Sequence, residues 1–378
     1  MEKTLCFIGD IMLGRIIGSK YNKNKYTIVS DELKDIIKDS DFVIANLESP
    51  VPTKAETEGD HLQFRGNQDI LKDMKWIDMF SLSNNHINDC GTNGMDETIV
   101  NLESNGYKWN GLYKEEYEPY IYDPGNDKIA IITITDMMNI PFDEKCQWKT
   151  LRVGDDLVFE YITKYHELGY FVILYAHIGM LFTRYPNPVS YKYLHDCIDK
   201  GADFIVTCHS HCLGGMETYK GKYIFHSLGD FVMDGNSFRR RRSGILKIKY
   251  KNKAITNWEI IPAEINMEYE TVSPKQKIQN IMLNSFQDVT NKIAKNSDNY
   301  ESFYKFQYKK EMIMHTTSTL SFLCKSRGVF GMIKMVGQRF EEVLRMFTWM
   351  TKDRSKDQRD DDAIRADRKR FKQDDLFK

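Results

Sequence analysis

The chain has 378 residues, and its 53 Lys and Arg against 54 Asp and Glu leave a formal charge of −1. That balance gives no whole-molecule field to draw it onto nucleic acid, and 41% hydrophobic with 12% aromatic residues excludes disorder over the whole length. A membrane span needs about 18 consecutive apolar residues; the longest candidate, Tyr170 to Phe182, is shorter and is broken by His177.

The start, MEKTLCFIGD, runs directly into a strand-like segment with neither an apolar stretch nor a small-residue cleavage site, so a cytoplasmic location is expected. The seven Cys residues are irregularly spaced and read as free thiols. Up to about residue 210, short β-branched or aromatic runs alternate with helix-period segments, the pattern of an α/β sheet layered by helices. Strands are predicted at Leu5 to Ile8, Phe42 to Ala45, Met79 to Leu82, Ile129 to Thr135, Phe171 to Ala176 and Phe204 to Thr207. Helices are predicted at Asp31 to Ser40, Asn67 to Trp76, Gly94 to Ser104, Asp155 to Leu168 and Ser190 to Lys200, several opening on Asp, Asn or Ser caps. From Lys222 to Ile261 strand follows strand, and Gly244 to Tyr250, the turn Lys251-Asn252-Lys253 and Ile255 to Ile261 read as an antiparallel hairpin.

The main domain is thus expected to close near residue 265. After Pro274 the period becomes helical, and residues 274–350 read as a second, helical unit. Its Met and aromatic residues between Met312 and Met350 read either as a helical core or, with Lys325, Arg327, Lys334 and Arg339 interleaved, as a membrane-surface or partner-docking helix. In the tail, 352–378, about two thirds of the residues are charged, and disorder is expected there.

Five predicted strands end in metal-ligand residues: Asp10, Asn46-Leu47-Glu48, Asn84-Asn85-His86, His177 and Cys208-His209-Ser210-His211. In an open α/β sheet the crevice lies outside the carboxyl ends of the strands, so these residues would converge on one rim. Two carboxylates, an amide oxygen and three imidazoles suit two borderline divalent ions, Mn, Fe or Zn, rather than Ca. Two dications exceed the carboxylate charge, which makes an anionic, phosphate-like group the natural visitor. His86 is the candidate proton donor to a leaving oxygen, with Asp89 placed to orient it. His209 and His211, at i and i+2, would face one side of an extended chain.

The segments GDIMLGR, NLESP, LSNNHINDCG, HIG and GADFIVTCHSHCLGGMETYKGKYIFHSLGDF resemble the CapA family of capsule and poly-gamma-glutamate synthesis proteins, over about residues 1–262. The resemblance implies the calcineurin-like metallophosphoesterase fold, an α/β two-sheet sandwich flanked by helices, here with a C-terminal helical extension. It also implies a dimetal centre and a part in making a cell-surface polymer. By that resemblance Asp10 matches the first metal carboxylate, Glu48 the bridging acid and Asn85 the Asn-His ligand; His177, His209 and His211 match the remaining ligands, and His86 the proton donor.

Four departures stand out: Met12 where general metallophosphoesterases have a ligand His, Leu181 in place of a Glu, Cys208 in place of a Gly, and Asp230 where Asn is usual. Asp230 would restore a carboxylate lost at Leu181 and is counted among the substrate-binding candidates. Arg15 and Arg65 are read as substrate contacts or as capping and ion-pairing residues, and the run Arg239 to Arg242 as a solvated loop or a guide for a polyanion. Cys208 and Cys212 read as small buried residues, and His61, His166, His195 and His226 as structural or surface histidines. The expected function is a dimetal hydrolase acting on an anionic phosphoester-type or amide bond in polymer synthesis, working on an anionic polymer or phosphorylated substrate, with peripheral attachment at the inner membrane face. A non-catalytic accessory protein that binds the polymer or a membrane-bound capsule synthase is the other reading.

Overall fold

The computed structural model describes residues 2–23, 26–57, 63–125 and 127–338. His61, the segment 339–350 and the tail 352–378 lie outside the described residues.

The first sheet opens with β1 (Lys3–Ile11), β2 (Phe42–Leu47), β3 (Met79–Ser81) and β4 (Lys108–Asn110), with α1 (Arg15–Lys23), α2 (Asp31–Lys38) and α3 (Gly91–Ser104) between them. The second is built from β5 (Tyr120–Tyr122), β6 (Ile129–Thr135), β7 (Phe171–His177), β8 (Phe204–Cys208), β9 (Met216–Tyr219) and β10 (Lys222–Phe225), with α4 (Asp156–Glu167) and α5 (Pro188–Asp199) as crossovers. The chain then returns to the first sheet through β11 (Asp230–Val232), β12 (Arg242–Lys251), β13 (Ala254–Ile265) and β14 (Thr271–Val272). It finishes with α6 (Gln276–Lys295) and α7 (Tyr300–Gln338), the latter interrupted at Gly328.

The sheet orders are β14-β13-β12-β1-β2-β3-β4 and β5-β6-β7-β8-β10-β9, and β11 pairs with β1 off the main path. β1 to β4 are mutually parallel, as are β6, β7, β8 and β10. The uninterrupted apolar runs of β6 and β7 are buried throughout, as strands covered on both faces must be. Leu5, Phe7, Ile44 and Met79 of one sheet meet Ile131, Ile173, Phe204 and Val206 of the other in a shared core. Leu33 and Ile37 of α2 and Met95 and Leu102 of α3 cover the outer face of the first sheet. Val158 and Ile162 of α4 and Leu194 and Ile198 of α5 cover that of the second. The result is the α/β two-sheet sandwich flanked by helices that was expected.

Three local differences have physical causes. Gln68–Asp73 is a short 3-10 helix rather than the longer helix expected from Asn67. Tight bonds from Met74 N–H to Leu71 O and from Ile77 N–H to Met74 O end it before β3. α6 packs on the sandwich itself: Phe286 stacks 6.4 Å from Phe225 and meets Trp258. The arginine run is not a solvated loop, because Arg241 is 1% exposed and donates from Nε to Gly235 O at 2.8 Å.

Candidate metal centre

Parallel strands bring their carboxyl ends to one rim. Asp10 lies at the end of β1 and Glu48 directly after β2; Asn85 and His86 occupy the turn after β3, His177 ends β7, and His209 follows β8. Asp230 opens β11 in parallel register with Asp10. Asp10, Glu48 and Asp230 are completely buried.

Gly9 and Gly229 permit the approach of β1 to β11. A Cβ on Gly9 would fall 2.0 Å from the Gly229 carbonyl oxygen, and Gly229 takes φ +78, which favours glycine. His209 and His211 converge differently from the extended chain expected. Both are left-handed, with φ 92 and 57, so a turn after β8 aims them rather than strand alternation. Such backbone strain in non-glycine residues is characteristic of functional sites.

The side chains form one connected set. His177 Nε2 lies 2.8 Å from Asn85 Oδ1 and 2.9 Å from His209 Nδ1, while its Nδ1 is 3.4 Å from Asp10 Oδ1. His211 Nδ1 is 2.6 Å from Asp230 Oδ1. Glu48 faces three imidazoles: His177 Nε2 at 3.5 Å, His211 Nδ1 at 3.9 Å and His86 Nε2 at 4.0 Å. Yet among the described residues neither Glu48 carboxylate oxygen has a hydrogen-bond partner, and Asp230 Oδ2 has none either.

Two groups of side chains have ligand atoms close enough to hold an ion: Glu48 with His177 and His209, and Asp10 with Glu48, His211 and Asp230. Glu48 belongs to both. Burial opposes the charged form of His177, but Asp10 and Glu48 outweigh it and raise the imidazole to about 10. Burial likewise opposes charge on His211, and Asp230 and Glu48 again raise it. For His209 the balance is reversed: burial, reinforced by His177 and His211 and only partly offset by Glu48, holds it well below the ordinary value, as the neutral ring a metal requires.

On the facing side, His86 Nδ1 is 2.6 Å from Asp89 Oδ2, and that same oxygen accepts the Phe64 N–H at 2.6 Å. The Phe64 ring stacks on His86 at 3.8 Å. Arg15 sits above that ring at 4.8 Å and donates from Nε to Asp234 Oδ2 at 2.9 Å. Arg65 does not join the set: it donates to the Ala55 and Thr53 carbonyls and pairs with Glu56 at 3.1 Å. Met12 is buried beside Phe64 and Met233, and its sulfur accepts the Gly14 N–H at 3.0 Å. His195 and His226 share Glu217 at 3.0 and 2.8 Å, apart from this set. Cys208 and Cys212 are buried and free.

Two asparagines were given no individual role by the sequence, although Asn46 stood in the Asn46-Leu47-Glu48 run. Asn46 donates from Nδ2 to Asp10 Oδ1 at 2.8 Å and lies 3.1 Å from His177 Nδ1. Its place two residues before Glu48 on β2 was the available signal. Asn139 sets its amide 3.0 Å from His86 Nε2 from a loop with no period or motif.

The architecture is a two-sheet α/β sandwich that carries a buried set of carboxylates and imidazoles at one rim. The chain belongs to the bacterial capsule synthesis protein PGA_cap family, whose model matches residues 4–235. Over 274 residues it is 29% identical to the PGA biosynthesis protein CapA of Bacillus subtilis (strain 168), covering 69% of this chain and 71% of that protein. Over 276 residues it is 25% identical to the capsule biosynthesis protein CapA of Bacillus anthracis, covering 69% of this chain and 67% of that protein. Among solved structures, a hypothetical protein from Thermus thermophilus aligns with a TM-score of 0.42 and 14% identity, over 69% of this chain and 99% of its own.

Proposed function

We propose that this chain is a metal-dependent hydrolase of capsule or poly-gamma-glutamate synthesis, acting on a phosphoester-type or amide bond of an anionic polymer or phosphorylated substrate. The observation that carries this is Glu48: a buried carboxylate with both oxygens unbonded among the described residues, ringed by imidazoles. A carboxylate is kept so in a protein interior only where cations satisfy it. The donor set fits two divalent ions of the Mn, Fe or Zn type. Glu48, His177 and His209, with Asn85 beside His177, would hold one; Asp10, Glu48, His211 and Asp230 would hold the other. Such ions supply Lewis acidity and lower the pKa of bound water.

The remaining roles fall to the protein. Asp89 fixes the His86 proton at Nδ1, which leaves Nε2 as the atom that delivers a proton to the leaving oxygen. Phe64 holds the ring against rotation and excludes water from its face. Arg15, tied to Asp234, adds positive charge at the mouth for an anionic substrate.

We place the protein in the cytoplasm at the inner membrane face, beside a membrane-bound synthase. The exposed Phe306 and Ile313 on α7 support this placement, and among the described residues no helix is long and apolar enough to cross a membrane. The second reading, a binding protein without turnover, draws support from Met12, whose thioether offers a borderline cation a poor ligand.

The test is elemental analysis of the purified protein beside the His209→Ala, His211→Ala double variant, followed by turnover of a generic phosphodiester with Mn. About two ions per chain, lost in the double variant, with turnover abolished by His86→Ala, supports the enzyme. Metal-free, folded protein that rejects Mn, Fe and Zn leaves the binding role.

A further inference from the structure

Two of the four consecutive arginines are hydrogen-bonded into the fold. Arg239 donates from Nη1 to the Glu311 carbonyl at 2.8 Å and from Nη2 to its carboxylate. Arg241 is buried between the rings of Tyr269 and Phe322 and bonds to backbone carbonyls. Arg242 points away from the metal centre and leans toward Glu264 at 3.9 Å across the β12–β13 pair, its Nε also without a hydrogen-bond partner among the described residues.

Arg240 turns into the rim instead. Its guanidinium lies 5.4 Å from the Phe182 ring centroid, and Nη2 is 3.4 Å from Asp230 Oδ2. Its Nε is buried and has no hydrogen-bond partner among the described residues. Phe182 is held in place, stacked flat on His315 at 4.1 Å and lying 6.1 Å from His211. A second arginine is seated in the same way, with Arg15 over Phe64 and Phe64 on His86, but there Asp234 takes the arginine's Nε. The site therefore has two arginines, each over a phenylalanine that lies beside a histidine of the set, and of the two only Arg240 keeps its Nε donor unused.

A buried guanidinium donor without a partner is unfavourable unless a ligand supplies the acceptor. The planar fork of Arg matches the paired oxygens of a phosphoryl or carboxylate group. We propose that Arg240 is the specificity-determining residue of the site, its guanidinium receiving the oxyanion of the substrate beside Asp230 and His211. This rests on the anionic-substrate part of the proposed function.

The test is calorimetric titration of the full-length, Mn-treated protein with two probes, inorganic phosphate and a short γ-linked glutamate oligomer, for wild type, Arg240→Gln and Arg240→Lys. The wild type is expected to bind one of them, and the probe bound identifies the oxyanion as phosphoryl or carboxylate. In Arg240→Gln that affinity should fall about tenfold or more with metal content unchanged, and Arg240→Lys, which keeps the charge but not the fork, should fall between. Binding of neither probe by the wild type, or equal affinity in all three proteins, overturns the inference. So does metal loss in step with binding, which would make Arg240 a support for Asp230. If Arg240→Gln does not fold, Arg240→Lys decides alone, and wild-type affinity in it overturns the inference. Phosphodiester turnover, measured separately, keeps the two readings apart. Arg240-dependent binding without turnover upholds the inference and removes the hydrolase, while turnover with Arg240-independent binding does the reverse.

Discussion

Glu311 of α7 receives Arg184 through both carboxylate oxygens, Nη2 to Oε1 at 2.8 Å and Nε to Oε2 at 3.1 Å. Arg184 belongs to the loop after β7 and Arg239, which binds the same carboxylate, to the loop after β11. One buried acid on the C-terminal helix thereby fastens two loops that border the metal centre. Glu311→Ala leaves two largely buried guanidinium groups uncompensated and is expected to cost about 3–5 kcal/mol in urea unfolding, with Glu311→Gln costing less. A loss below about 1 kcal/mol for the alanine variant would mean that the loops hold without it.

His86→Gln is expected to lower kcat on a phosphodiester about 10²- to 10⁴-fold while metal content stays at the wild-type level. Asp89→Asn should lower it less, because the amide oxygen can still accept from His86 Nδ1 although the carboxylate charge is lost. Elemental analysis beside the rates checks this, and metal lost together with activity in His86→Gln would make His86 a ligand.

His315 supplies a pH dependence of stability. Burial, with Arg240 and Arg239 close by, depresses it from the ordinary 6.5 to about 3. Between those values the unfolded chain binds the proton and the folded chain does not, so stability falls as pH drops below 6.5. The contribution lost between about pH 7 and pH 5 is about 2 kcal/mol. In His315→Gln the slope of unfolding free energy over that range should flatten by this amount in urea titrations at the two pH values. An unchanged slope would show that the imidazole is charged in the fold.

Gly9→Ala places a Cβ 2.0 Å from the Gly229 carbonyl oxygen and must push β1 away from β11. A loss of about 1–3 kcal/mol is expected, together with weaker metal retention, because Asp10 and Asp230 would separate. Thermal unfolding with and without Mn measures both, and a destabilised variant that retains wild-type metal content would detach the strand contact from the site.

What the sequence disclosed followed the strength of local signals. β6 was legible to the residue, because seven apolar or Thr residues in a row suit only a strand covered on both faces. β4 and β5, at three residues each, are too short to show a period. The ligand candidates were legible because parallel strands share a carboxyl end, but the register that sets Asp10 beside Asp230 is a long-range pairing with no local trace. Arg239 to Arg242 read only as a solvated loop or a polyanion guide because their partners, Glu311 and Tyr269 among them, are far away in sequence. The period of α6 disclosed an apolar face and not what would cover it, which proved to be Phe225 and Trp258.

The placement of β1 bears on how the protein is made. β1 leaves the ribosome before both of its main partners and can pair on one side with β2, but its other neighbour, β12, ends at Lys251. Until that much chain has been synthesised, Leu5 and Phe7 belong to an open sheet edge, the kind of surface that recruits strands from other chains. A fragment cut at residue 235, where the family match ends, would keep every ligand candidate and still lack the strand that seals that edge. Such a piece should aggregate during expression, whereas chains extended through β13 should not.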